Sequence, residues 1–259
     1  MLNILLLDVE TAPSKGYIWS LWKEVENFSF IERDWYILCW SAKWLEAKDI
    51  MSSSLPDFKS YKRDPESDKE VLLNLWKLLD TADVIIAHNG INFDRKKINA
   101  RFIINGIKPP SPYRVIDTLE VCRKEFAFTS NRLNDVAQFL NLGKKAETGG
   151  FQLWKNCLEG DRESWKKMVD YCKNDIILLE KVYFALRPFI LQHPNLGVDE
   201  ESLRPCCPKC ASDNIHYRGY SFTNMSKFKR FCCMSCGGWG RLKLNILDKE
   251  KKASLTANA

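Results

Sequence analysis

The chain has 259 residues, of which 45% are hydrophobic and 28% charged, a balance that excludes an intrinsically disordered or fibrous protein and leaves room for a substantial core. Its formal charge of +6 is uneven: residues 206–245 hold seven Lys or Arg against one acid, Asp213, so the remainder is close to neutral. The N-terminal apolar run around Ile4–Leu7 is too short, and too quickly followed by carboxylates, for a signal peptide or a membrane span. The sequence therefore predicts a cytoplasmic protein with no membrane partner. In a reducing compartment its ten cysteines call for metal or burial rather than disulfides.

In chain order, residues 3–9 read as a strand buried on both faces, because Ile4, Leu5, Leu6 and Leu7 run without a polar break. Residues 35–41 and 50–54 are candidate partner strands. Ser67 with Glu70 three residues on forms a capping-box pattern, and Val71, Leu72, Leu75, Leu78 and Leu79 give the stripe of a helix over 67–80. A short strand at 84–87 feeds a helix over 93–102. A strand near 115–116 precedes helical segments at 118–125 and 132–140, and a long helix over 163–186 follows. This alternation predicts an α/β domain with a mixed sheet flanked by helices. Residues 1–190 form that domain, 191–204 with Pro194 and Gly197 a linker, 205–245 a small cysteine-rich module, and 246–259 a frayed tail.

Four carboxylates are the candidates for chemistry. Asp8 and Glu10 lie two apart at the end of the first strand and so share a face, although such a pair alone is also what a solvated strand edge looks like. Asp94 stands where a turn becomes a helix, a position also open to a capping residue. Asp175 falls within the apolar stripe of the long helix formed by Trp165, Met168, Cys172, Leu179, Val182, Tyr183 and Leu186. A carboxylate on an inward face is costly unless a cation or strong donors receive it. Tyr171 sits one turn earlier, beside it.

The segments LLLDVETAP, AHNGINFD and YCKND resemble, in order and character, the three motifs of DEDD exonucleases, which include proofreading and ribonuclease D-like enzymes on the ribonuclease H-like fold. Asn89, Phe93 and Asp94 match the second motif, and Tyr171, four residues before Asp175, matches the tyrosine branch (DEDDy). His88, His193 and His216 fit no slot of the histidine branch, and His88 reads as a packed strand-end residue. The resemblance implies a 3'-to-5' exonuclease that releases nucleoside 5'-monophosphates. It further implies two Mg²⁺ or Mn²⁺ ions, the first held by Asp8, Glu10 and Asp175, with Asp8 bridging and Asp94 supporting the second. An all-oxygen donor set suits such hard cations. Tyr171 would orient water or phosphate, and Thr11, Asn89 and Phe93 would lie near the substrate. Residues 12–65, which depart from the family pattern, carry Trp19, Trp22, Trp35, Trp40 and Trp44; core packing is the expected use of most of these rings, and base stacking is the alternative.

Cys207 and Cys210, then Cys233 and Cys236, form two Cys-x-x-Cys knuckles 22 residues apart, the donor set of a tetrahedral structural zinc site. Cys206 and Cys232 are expected to be non-ligands. The stretch resembles zinc ribbons found beside transposase and phage DNA-processing domains. Its basic surplus and interleaved Tyr217, Tyr220, Phe222, Phe228, Phe231 and Trp239 suit nucleic acid, whereas a purely structural module remains the alternative. The whole sequence predicts an exonuclease acting on DNA in preference to RNA, on single strands, with a replication or recombination protein as a possible partner in trans. The alternatives are a ribonuclease that trims RNA 3' ends and a non-catalytic nucleic-acid adaptor.

Overall fold

A computed structural model describes residues 2–17 and 30–256. Trp19 and Trp22 lie outside the described residues. The chain divides into two compact units, Asn3–Tyr183 and the stretch from Phe184 onward.

The first unit is built on β1 (Ile4–Thr11), with β2 (Lys15–Tyr17) and β3 (Phe30–Arg33) paired as a separate antiparallel ribbon. The main sheet also contains β4 (Ile37–Trp44), β5 (Met51–Ser54), β6 (Val84–Ala87) and β7 (Arg114–Asp117) in the order β5-β4-β1-β6-β7. Strand β1 is central because its apolar run can be buried on both faces: it pairs antiparallel with β4 and parallel with β6. The helices are α1 (Lys69–Thr81), α2 (Asp94–Ile104), α3 (Thr118–Glu125), α4 (Leu133–Phe139), α5 (Phe151–Leu158) and α6 (Arg162–Leu186). This is the expected mixed α/β fold with a mixed sheet flanked by helices. Leu5, Leu7 and Val9 of β1 join one core cluster with Leu72 and Leu75 of α1, Ile98 of α2 and Met168 of α6. Alternation then places Asp8 and Glu10 on the opposite face, with Leu6.

The expected capping box does not form. Helix α1 begins at Lys69 behind Asp68, and Glu70 bonds the Ser60 hydroxyl instead of reaching back to its own cap. The fully buried Asp68 carboxylate is committed elsewhere, accepting from Ile37 N at 2.9 Å, Arg101 Nε and Nη2 at 2.6 and 2.9 Å, and Asn105 Nδ2 at 2.9 Å. Such a buried charge is tolerable because every acceptor direction is used. Trp40 is buried and donates to Val71 O at 2.9 Å, while Trp35 and Trp44 pack partly buried against the core. The three described tryptophans of this region are thus packing residues.

In the second unit, β8 (Ile215–Thr223), β9 (Ser226–Cys233) and β10 (Trp239–Asn245) form an antiparallel sheet in the order β10-β9-β8. The stretch read as linker is folded onto this unit: Leu196 N donates to Pro208 O at 2.8 Å, and Gly197 passes so close to Cys206 that an added Cβ would lie 2.3 Å from its sulfur. The tail expected to fray contains α7 (Lys249–Ala253), because Asp248 caps it by accepting from Lys251 N at 2.6 Å. No helix among the described residues is long and apolar enough to cross a membrane.

Candidate active site and metal centres

The end of β1 delivers Asp8 and Glu10 to one face, and α6 delivers Asp175 to the same place, so that one carboxylate oxygen from each lies within 4.8 Å of the others. Asp94, the first residue of α2, joins from the helix that follows β6, β1's other neighbour: its Oδ1 accepts from Val9 N at 3.2 Å. Asp94 and Asp175 are buried, the latter 1% exposed, and Asp175 Oδ1 has no hydrogen-bond partner among the described protein groups. Burial first, and then mutual repulsion, raises the carboxyl pKa values of Asp8 and Glu10, with Asp8 pushed up to about 7. Asp94 is raised for the same reasons, while for Asp175 burial outweighs the opposing pull of Lys145. Four carboxyl groups held together against this cost fit hard cations, and the orphaned oxygen of Asp175 points the same way.

One cation already meets the cluster, and motif reading overlooked it. Lys145, on the loop between α4 and α5, donates from Nζ to Asp175 Oδ2 at 2.5 Å and to the Tyr171 hydroxyl at 3.0 Å. Burial alone would lower its pKa, but the Asp175 charge more than compensates and holds it well above the ordinary lysine value. No periodicity flags this residue; its only sequence signal is a lysine pair in a loop bounded by Gly143, Gly149 and Gly150, all at positive φ. Tyr171 is pushed up to about 12 by burial, so its hydroxyl keeps its proton throughout the neutral range. Cys172, buried beside it, donates to Asp8 Oδ2 at 3.3 Å and helps fix that carboxylate.

Asn89 adopts a left-handed φ of 69°, and Asp117 secures this turn by accepting from Asn89 N at 2.9 Å and Ile91 N at 3.0 Å. Phe93 is half-buried against the core, and Thr11 follows a register shift in β1 next to Glu10. His88 is packed as expected, with Nδ1 2.9 Å from Thr118 Oγ1 and Nε2 2.9 Å from Asn131 O. A cleft of about 530 Å³ opens beside these residues, lined by His88, Asn89, Arg123, Arg132 and Lys145.

In the second unit the sulfurs of Cys207, Cys210, Cys233 and Cys236 lie within 4.8 Å of one another, and Cys206 and Cys232 stand outside the group. Burial would raise the Cys233 thiol, but the N–H groups of Cys236 and Ser235 donate to it and bring it down to about 7. Four convergent sulfurs with backbone donors at a knuckle suit a thiophilic ion such as zinc.

A family model for the RNase H superfamily matches residues 46–187, more than half of the chain, and takes in Asp94, Lys145, Tyr171 and Asp175. A family B DNA polymerase from the hyperthermophilic archaeon Pyrobaculum calidifontis is similar in structure, with a TM-score of 0.51 and 14% identity over 73% of this chain. The chain covers 26% of that polymerase, about a quarter of its length, and the likeness is one of fold. No curated protein matches the sequence. The family match over more than half of its length shows that the chain belongs to the RNase H superfamily.

Proposed function

We propose that this protein is a metal-dependent 3'-to-5' exonuclease of the DEDDy type, hydrolysing terminal phosphodiesters of single-stranded DNA. The observation that carries the proposal is the convergence of Asp8, Glu10 and Asp175, with Asp94 adjoining, around an unpaired buried carboxylate oxygen. Asp8, Glu10, Asp94 and Asp175 would hold magnesium or manganese. Bound there, such ions supply Lewis acidity that lowers the pKa of a water and offsets charge on the leaving oxygen. Tyr171, protonated and fixed beside Asp175, is a hydroxyl donor for water or phosphate rather than a base. Lys145 is a cationic donor within reach of the same place, suited to a non-bridging phosphate oxygen as negative charge builds. Arg123 and Arg132 line the adjoining cleft and would draw a polyanionic strand toward the carboxylates. Asn89, Phe93 and Thr11 would border the terminal nucleotide.

The second unit is read as a zinc ribbon that holds nucleic acid, on its group of four convergent cysteines and the basic surplus of residues 206–245. Lys209 is excluded from that role, being buried and bonded to the Pro188 carbonyl. The decisive assay uses matched DNA and RNA strands, labelled at the 5' end, with defined divalent ions. Stepwise shortening from the 3' end of DNA is expected; internal cuts as the main product would overturn the exonuclease reading, and faster RNA trimming would make it a ribonuclease.

A further inference from the structure

The three-stranded sheet of the second unit carries positive charge on both faces, but the two faces use it differently. Residue pairing sets Lys227 opposite Phe222 and Lys229 opposite Tyr220. Lys227 Nζ lies 4.0 Å from the Tyr220 ring centre, and Lys229 Nζ lies 5.6 Å from that of Tyr217. Each lysine rests on rings of its own fold, and the two stand on one strand, each opposite an aromatic residue rather than another cation.

Alternation puts Arg230, Phe228, Trp239 and Arg241 on the other face, where Arg230 and Arg241 are directly opposed across β9 and β10. Arg218 adjoins them at the bulge of β8, its carbonyl accepting from Arg230 Nε at 3.1 Å. Like charges placed directly opposite are destabilising, and no Asp or Glu occurs between Asp213 and Asp248 to relieve them. The guanidiniums are spread over rings, Arg230 lying 4.9 Å from the centre of Trp239 and Arg241 3.8 Å from that of Phe228. Trp239 remains 44% exposed. Neighbouring strands stand about 4.8 Å apart, so Arg230 and Arg241 bring two planar donors side by side, with Arg218 at the bulge of the third strand and an aromatic surface beside them, a set suited to phosphates.

From this we infer that the Arg218–Arg230–Arg241 face, with Trp239, is the surface that grips single-stranded nucleic acid, and that the opposite lysine–tyrosine face is structural. The inference rests on reading the second unit as a nucleic-acid-holding ribbon and assigns that role to one side of it.

The test is salt-dependent binding of a labelled, 3'-blocked single-stranded oligonucleotide to the full chain. Wild type is compared with Arg230→Ala/Arg241→Ala, Lys227→Ala/Lys229→Ala and Trp239→Ala. Retained zinc and an unchanged thermal midpoint identify variants that are folded. The arginine pair is expected to weaken binding about tenfold and to flatten the slope of log affinity against log salt by about 1.4, from about 0.7 per lost phosphate contact. Trp239→Ala should lose about tenfold through stacking without changing the slope, and the lysine pair should stay within about threefold of wild type. Restoration of the slope by Arg230→Lys/Arg241→Lys is the conservative rescue. If the lysine pair shows the loss and the arginine pair does not, the face is wrong although the ribbon still binds. If neither pair changes affinity or slope, the ribbon does not hold nucleic acid, and both readings fall.

Discussion

At the scale of single residues, the candidate site is a problem of charge held out of water. Asp8, Glu10, Asp94 and Asp175 repel one another in a buried place, with Lys145 as the cation in contact with Asp175. Asp94→Ala and Asp175→Asn are expected to reduce hydrolysis by about 10²- to 10³-fold, the scale of one group lost from a preorganised electrostatic site. Tyr171→Phe, which deletes one hydroxyl, should leave a measurable rate; single-turnover assays on an end-labelled strand check all three, and wild-type activity in Asp94→Ala would end the assignment. Because Asp8 is raised to about 7, the metal-free site contributes stability below about pH 4 that is lost as pH rises through 7. Added Mn²⁺ should therefore raise the thermal midpoint more at pH 8 than at pH 5.5, and an equal rise at both would refute the linkage. His88 has the opposite sign. Burial lowers its pKa from 6.5 to about 4, so the folded protein binds fewer protons than the unfolded chain. Its contribution is present above pH 6.5 and is lost as pH falls through 4, worth up to about 3 kcal/mol. Urea unfolding of His88→Gln should show that much less acid sensitivity than wild type between pH 6.5 and 4, and identical curves would show that His88 is not the group responsible.

At the scale of elements, α1, β4 and α2 are joined through one buried side chain. Asp68 ties the cap of α1 to Ile37 N of β4, to Arg101 of α2 and to Asn105 at that helix's C-terminal cap. Arg101→Met would strand a fully buried carboxylate, a change that costs about 3–5 kcal/mol when one member of a buried pair is removed. Asp68→Asn/Arg101→Met, which removes both charges, should recover much of the loss. Chemical denaturation distinguishes them, and a single Arg101 variant as stable as wild type would show that the pair is dispensable. The same node explains why the capping-box pattern at Ser67 and Glu70 is unused: a short carboxylate serving three elements outranks a local cap worth about 1 kcal/mol.

At the scale of the whole molecule, the chain comprises two units, each with side chains that could hold a metal ion, oxygen donors in one and sulfur donors in the other. One zinc per chain is expected by elemental analysis of protein purified without chelator, and Cys207→Ser or Cys236→Ser should lose it while Cys206→Ser keeps it. Hydrolysis of short strands at saturating concentration should survive the Cys207→Ser change, because the proposed reaction assigns its chemistry to the carboxylates of the first unit. Loss of both zinc and turnover on short strands would show that the two units are coupled.

The sequence by itself determined the elements whose signal is local. The apolar run of β1, the stripes of α1 and α6 and the spacing of the two knuckles each follow from periodicity or from donor type, and Asp8, Glu10, Tyr171 and Asp175 stand on β1 and α6. Asp175 was legible as a carboxylate out of place on an apolar stripe, and the structure places it at 1% exposure. What only the tertiary structure decided are contacts between residues far apart in the chain. Lys145 reaches Asp175 across 30 positions, Asp68 reaches Arg101 across 33, and the opposition of Arg230 to Arg241 depends on strand register. The short ribbon of β2 and β3 and the helix α5 were not expected either, being brief elements set by their neighbours. Periodicity records which way a side chain faces along its own element, whereas the partner it meets is set by how elements pack, and it is the partner that gives a buried charge its energy.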